Sequence, residues 1–330
     1  MPILGAGTLI AAACGPQPAT PSWEPGGASA PGAASPTAGA SASSASSATP
    51  SAVTSPTSAA AADGWARLTT DLEALVAAAA SAGITMSVAV TDLGGRWGGG
   101  SLTAGAGARV KAASIIKVGL LAALLHQVDR GAIALDKKVT IPAGDANIVG
   151  GSGTLRNRRF PVGISLRELA ELMVQVSDNT ATNVLIDQVG GFAAVNAYLR
   201  GAGFAELYLG RKMLQPAAPP KRENYIAAAA VTALLAAIWN GTLLGRGASD
   251  LVLDLMRGQR VDTKYGAVVP RRHLANKTGE LADVSHDCGV ITLSGRELAL
   301  STTTSFAGAA ARADRYVQDS ARLVYDFARA

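Results

Sequence analysis

Few residues in this chain belong to the types that carry redox, metal or imidazole chemistry. Two cysteines, Cys14 and Cys288, are too few for a disulfide framework. No cysteine–histidine cluster has zinc spacing either, so neither a metal nor another cofactor is expected. Cys288 lies in the apolar run Cys288-Gly289-Val290-Ile291 and reads as a buried strand residue. Only three histidines exist, His126, His273 and His286, and no G-x-S-x-G elbow is present, which argues against a Ser-His-Asp site. His286 and Asp287, at an expected turn, read as a structural pair. No lysine or arginine precedes Arg67, and no aspartate or glutamate occurs from Leu207 to Arg222.

The first 62 residues are a different material from the rest. From Gly15 to Ala62 the chain is almost entirely Ala, Ser, Pro, Gly and Thr, with one aromatic, Trp23. Such a segment cannot bury enough apolar surface to offset its ordering entropy, so residues 15–62 are expected to be a disordered tether. Ahead of it, Ile3 to Cys14 is apolar but too short to span a bilayer. With Ala11-Ala12-Ala13 before Cys14, residues 1–14 look like a secretory signal ending in a lipoprotein cleavage site. The plainer reading is an apolar N-terminus with a chance cysteine. A basic leader is expected upstream of Met1. The protein is then exported and held by a lipid on Cys14 at the outer face of the cytoplasmic membrane, with residues 63–330 as its folded domain. The net charge of +5 includes clusters at Arg156/Arg158/Arg159, Lys221-Arg222 and Arg271-Arg272. It reads as general affinity for an anionic envelope. No nucleic-acid motif accompanies it.

Three short motifs follow in order: Ser114-Ile115-Ile116-Lys117, Ser177-Asp178-Asn179 and Lys277-Thr278-Gly279, each occurring once. Average composition predicts about one S-x-x-K by chance in a chain of this length, but well under one of each of the others. Ser114 opens an apolar run to Leu125 that has helical length and no proline. On a helix Ser114 and Lys117 share a face, one turn apart. Unpaired N–H groups and the dipole of a first turn favour negative charge, which suits a serine nucleophile that leaves an oxyanion close by. A lysine serves as base only if burial or a nearby cation lowers its pKa towards neutrality. Each motif also has a bland reading. Ser114 is an N-cap, Lys117 a surface lysine, Ser177-Asp178-Asn179 a cap on a helix from Thr180 to Gln188, and Lys277-Thr278-Gly279 an edge-strand turn. Nothing in capping or turn chemistry requires all three, so the joint reading as an acyl-transfer site is preferred.

The set resembles the class A β-lactamases and the penicillin-binding proteins. The similarity extends to Gly151-Ser152-Gly153-Thr154-Leu155, Leu169 to Met173, Arg222 to Tyr225 and Lys277 to Val290, and so to roughly residues 63–330. It implies an α+β, β-lactamase-like fold, a mostly antiparallel sheet flanked by helices with an all-helical lobe, and Ser114 in the cleft between them. The coarse pattern agrees: a helix from Trp65 to Ala82, a strand from Ile84 to Val90 and helices from Ser114 to about Asn240. Strands then fall near His273–Thr278, Cys288–Leu293 and Glu297–Thr304, before a closing helix from Ala311 to Ala330. The resemblance further implies that Lys117 is the base, that Ser177 relays a proton to the leaving group, and that Asn179 holds Lys117 and a substrate amide. Lys277 and Thr278 would bind a substrate carboxylate, with Gly279 on the strand facing Ser114. The backbone N–H groups of Ser114 and Glu280 would form the oxyanion hole, and the Glu280 side chain could repel an anionic substrate.

Members of that family carry a glutamate in the loop beneath the nucleophile. In the matching stretch, Leu207 to Pro216, Arg211 aligns with the loop's arginine and Met213 falls where the glutamate is expected. Arg211 is expected to pair with Glu223, or alternatively with Asn224. Two functions follow. One is a monomeric serine hydrolase, acylated on Ser114, that turns over β-lactams weakly or acts on a related peptidoglycan-type peptide or ester. The other is a lipid-anchored penicillin- or wall-peptide-binding sensor that acylates and stalls. The presence of Ser177 favours the first, because a pure binder has no use for it.

Overall fold

The computed structural model describes residues 56–216, 222–308 and 310–330, with side chains from residue 61 onward. The expected signal region, Cys14, the tether up to residue 55 and Lys221 lie outside these residues. The first helix, α1 (Pro56–Ser81), begins nine residues before Trp65, inside the stretch assigned to the tether. Ala59 to Ala62 are strong helix formers, and Pro56 sits in the first turn, where no N–H is needed.

The chain then forms β1 (Ile84–Asp92), β2 (Ser101–Gly105), β3 (Val110–Lys111) and α2 (Ile116–Asp129). Next come β4 (Lys138–Ile141), β5 (Val162–Ser165), α3 (Leu166–Gln175), α4 (Asn179–Gln188) and α5 (Gly191–Gly201). After β6 (Tyr225–Ile226), α6 (Ala228–Trp239) and α7 (Arg246–Arg257), three long strands close the sheet. These are β7 (Leu274–Leu281), β8 (Val284–Ile291) and β9 (Leu298–Phe306), followed by α8 (Ala310–Arg329). The five-stranded sheet has the order β2-β1-β9-β8-β7 and is antiparallel throughout.

Both faces of this sheet are covered. On one, Leu68 and Leu72 of α1 and Val317 and Val324 of α8 pack on Val88, Val90 and Leu300. On the other, α2 lies at the centre of a larger core that takes in Cys288, Val290 and Ala299 of the sheet and the helices α3 to α7. Burial of the two faces leaves β8 without an exposed residue, so it shows no polar alternation. That is why the sequence reading starts this strand four residues late, at Cys288, and puts His286 and Asp287 in a turn. They lie inside β8, and successive side chains leave opposite faces, so they do not pair with each other. His286 instead donates from Nε2 to the Lys111 carbonyl at 2.8 Å and accepts the Thr304 N–H at 3.1 Å. Burial pushes its pKa down to about 4, which keeps it neutral. Asp287 accepts the Tyr265 N–H at 2.9 Å and the Asn276 amide.

Candidate active site

A 3-10 turn, Ala113–Ile115, leads directly into α2. Neither the turn nor the helix has a side-chain cap, so Ser114 is not an N-cap and the first-turn N–H groups stay uncapped by side chains. Ser114 is half-buried. From Ile116 to Leu125 every residue of α2 is buried, Lys117 included, so the lysine rides on a core helix rather than at the surface. Burial, and then the nearby charge of Lys277, hold its pKa well below the ordinary lysine value.

The second motif does its capping and its chemistry together. Asp178 caps α4, accepting the Ala181 N–H at 2.8 Å, while its other oxygen accepts the N–H groups of Thr154 and Leu155, both at 2.7 Å. Gly153, at φ +102°, is required here because a Cβ would run into the Asp178 carboxylate. This fixed aspartate sets its two neighbours facing Lys117. Lys117 Nζ donates to the Ser177 carbonyl at 2.7 Å, to Ser177 Oγ at 3.1 Å and to Asn179 Oδ1 at 3.0 Å. Lys277 Nζ reaches the same Ser177 Oγ at 3.1 Å from the opposite side and also bonds the Thr278 carbonyl at 2.8 Å. One hydroxyl thus bridges two lysine side chains.

Strand alternation explains the third motif. Lys277 and Gly279 face the nucleophile, whereas Asn276, Thr278 and Glu280 leave the opposite face of the strand, where Asn276 and Thr278 are buried and Glu280, near the strand's end, is exposed and lines the cleft. A Cβ on Gly279 would stand 3.2 Å from the backbone nitrogens of Ser114 and Ile115, so only glycine lets β7 approach this closely. That approach brings the backbone after Gly279 alongside Ser114, as an oxyanion hole built from Ser114 and Glu280 requires. Burial lowers the Lys277 pKa to about 8, with Lys264 adding to the effect and Asp287 opposing it. Thr278 is buried. The Glu280 side chain is 57 % exposed and accepts from Lys264 Nζ at 2.9 Å.

Opposite stands the loop from Leu207 to Glu223. Asn183 of α4 accepts the Met213 N–H at 2.7 Å and donates to the Met213 carbonyl at 3.1 Å, which fixes this residue on the cleft floor. Arg211 pairs with Glu223 at 2.6 Å, as expected, while Asn224 accepts the N–H groups of Gly210 and Arg211 at 2.7 and 3.0 Å. Lys212 pins the far side, reaching Asp187 and Asn147, both at 2.7 Å. Burial favours the neutral form of Glu223, but its bonds to Arg211 and the Asn224 N–H outweigh this and hold its pKa below the usual value. The cleft between these walls encloses about 220 Å³, lined by Ser114, Asn179, Met213, Leu214, Glu223 and Glu280 among others.

Among the described residues, three that are not glycine adopt a left-handed φ: Ala113 (45°), Ser177 (55°) and Leu214 (53°). Ala113 and Leu214 line the cleft, and Ser177 bonds its lysines. Such strain, on the order of 1–3 kcal/mol each, persists where surrounding structure over-determines the backbone. Sequence reasoning missed these backbone conformations, along with Asn183, Lys264 and the place of Glu223 in the lining of the cleft. Asn183 had a usable signal, since it follows Asn179 by four residues on one helix. The basic clusters are partly spent inside the domain: Arg158 pairs with Glu168, and Arg271 with Asp262 and Asn276.

Residues 67–328 match the family described as the beta-lactamase enzyme family. Among curated relatives, a beta-lactamase of Proteus vulgaris is 30% identical over 52% of this chain and 57% of its own length. Beta-lactamase AER-1 of Aeromonas hydrophila is 35% identical over 28% of this chain and 29% of its own. The chain thus spans less than two thirds of the length of these curated relatives. Solved structures align more completely. A beta-lactamase from Sphaerobacter thermophilus superposes with a TM-score of 0.72 at 28% identity, covering 79% of this chain and 97% of that one. PBP-A gives 0.70 at 26% identity, covering 79% and 95%. A Leu-to-Glu mutant of PBP-A, seen as an acyl-enzyme complex with penicillin-G, gives 0.71 at 26% identity, covering 79% and 96%.

Proposed function

The chain belongs to the beta-lactamase enzyme family, and on that premise we propose that it is a serine hydrolase acylated on Ser114 by β-lactams, or by a related amide or ester, that releases the acyl group slowly. Neutral Lys117 takes the Ser114 hydroxyl proton as Oγ bonds the substrate carbonyl carbon. The resulting oxyanion is met by the N–H groups of Ser114 and Glu280, each such donor being worth about 3 kcal/mol of barrier. Collapse breaks the bond to the leaving nitrogen or oxygen. Ser177 passes that atom a proton and regains one from Lys117, the two being 3.1 Å apart. Lys277 keeps a positive charge beside Ser177 below about pH 8, which suits an anionic substrate group.

Release needs a second base, to position water on the acyl-enzyme. The observation that carries slow release is Asn183 holding Met213, a thioether, on the cleft floor in a loop with no carboxylate from Leu207 to Arg222. Glu223 lines the cleft but is tied to Arg211 with a lowered pKa, so it is a weak base. Lys117 is left to serve both steps. A missing general base typically lowers a rate by about 10²–10⁴-fold. A fluorescent penicillin is expected to label the wild type covalently and to leave Ser114→Ala unlabelled. Equal labelling of the two proteins contradicts the proposal.

The proposal extends to location, on sequence support alone. The apolar run and the three alanines before Cys14 favour export and a lipid anchor, and because one chain anchors only marginally, a multiply acylated cysteine is implied. Native protein recovered without acyl groups on Cys14, or from the cytosol, argues against it.

A further inference from the structure

The face of β7 that Thr278 and Glu280 share holds a pair the reaction above does not use. Lys264, ten residues before β7 and separated from it by two 3-10 turns, is 1% exposed, yet its ammonium has two carboxylates on it: Glu280 at 2.9 Å and Asp314 of α8 at 3.5 Å. Glu280 shares a strand face with Thr278, and the register sets Thr278 opposite Asp287 and Glu280 opposite Ser285. Ser285 in turn donates to Asp314. This buried ammonium is therefore already neutralised, and by a cleft-lining residue whose backbone directly follows Gly279.

We propose that Glu280 is a specificity-determining residue: its carboxylate reserves Lys264 and disfavours acyl donors that carry a carboxylate beside the scissile bond, leaving neutral amides and esters as the preferred class. The inference rests on the acylation of Ser114 proposed above. Lys264 would not be orphaned by loss of Glu280, because Asp314 remains. A purely structural partner for a buried lysine would not need to be 57% exposed in a residue that lines the cavity, as Glu280 is. Lys277 still offers one cation to an anionic donor, so the effect is on relative rate rather than all-or-none. Placing a repulsive charge against one class of ligand is a common route to selectivity.

The test uses penicillin G and its methyl ester, which share the ring and differ in that one charge. Acylation of Ser114 by each is timed by intact-protein mass spectrometry in the wild type, Glu280→Gln and Glu280→Thr. The rate ratio of acid to ester is expected to rise about tenfold in both variants, a change corresponding to about 1.4 kcal/mol. A ratio that is unchanged, or that rises in one variant alone, shows that charge is not the cause and overturns the filter while acylation stands. No adduct from either probe in any of the three proteins overturns the acylation reading, and the filter falls with it.

Discussion

Behind the wall of the cleft that Ser114 and Asn179 line, Lys117 and Lys277 both reach the Ser177 hydroxyl at 3.1 Å, and Asp178 and Gly153 lock that hydroxyl's backbone in place. On the facing wall an equally fixed backbone presents Met213, whose thioether can neither take nor give a proton. The described part of the loop is likewise tied down by hydrogen bonds and ion pairs, through Asn183, Asn224, Glu223 and the Lys212–Asp187 contact. Both walls are thus anchored by polar contacts, and their chemistry separates them. Under the proposed function, one wall carries what forming an acyl-enzyme needs and the other lacks what clearing it needs, so substitutions on opposite sides of the cleft are expected to alter the two half-reactions independently.

The largest break in that comparison comes from the polar wall. Lys117→Ala is expected to lower the rate of Ser114 acylation by about 10²–10⁴-fold, read as adduct formation with penicillin G. The wild-type pH profile follows from the same two lysines. Lys117 works when neutral, so acylation falls on the acid side, as pH drops through a pKa held well below 10.5 by burial and by Lys277. Lys277 loses its charge above about pH 8, so acylation by an anionic penicillin falls again on the alkaline side. A rate that climbs steadily to pH 10 contradicts this assignment.

Sharpening comes from the apolar wall. Met213→Glu places a carboxylate where Asn183 fixes the backbone, and deacylation is expected to accelerate by about 10²-fold or more with acylation little changed. Decay of the mass adduct after removal of free penicillin measures it. Release no faster than in the wild type means that the loop does not present this side chain to the acyl group.

What the sequence showed and what it hid follow the same division. The contacts of Ser177 with Lys117 and Lys277, beside a cleft lined by Ser114, were legible because three motifs of these residue types in this order are not explained by capping or turn chemistry. Arg211 and Glu223 were legible because an arginine entering a carboxylate-free loop needs a partner at its exit. The start of β8 was not, since a strand buried on both faces loses the alternation that marks strands. Nor were the left-handed Ala113, Ser177 and Leu214, because none is a residue type that favours that conformation. The Lys264–Glu280 contact joins residues 16 apart through a turn and strand, which no local pattern announces. The early start of α1 was readable from its alanines, but the composition of the preceding segment masked it.

Smaller effects test how the loop is held. Asn183→Ala removes both bonds to Met213 and leaves a buried N–H and carbonyl unpaired, which is expected to destabilise the fold by about 1–3 kcal/mol each way of pairing lost. Urea denaturation of the variant measures it, and a loss below about 0.5 kcal/mol means water or a rearranged loop replaces the asparagine. Arg211→Ala should matter least for stability. The pair is about one-fifth to one-quarter exposed, 21% and 25% for the two side chains, so solvent screens it and roughly 1 kcal/mol is expected. A thermal melt reads this, and a loss several times larger shows that the loop depends on this pair more than on Asn183 and Asn224.

The division between the walls is tested most directly by following intact mass over time after one mixing with penicillin G, while free penicillin is assayed in the same samples. The account predicts that the wild-type protein gains one penicilloyl adduct on Ser114 quickly and loses it much more slowly, with penicillin consumed in near-stoichiometric amount over the first phase. Catalytic consumption of a large excess of penicillin with no adduct detected at any time would contradict it.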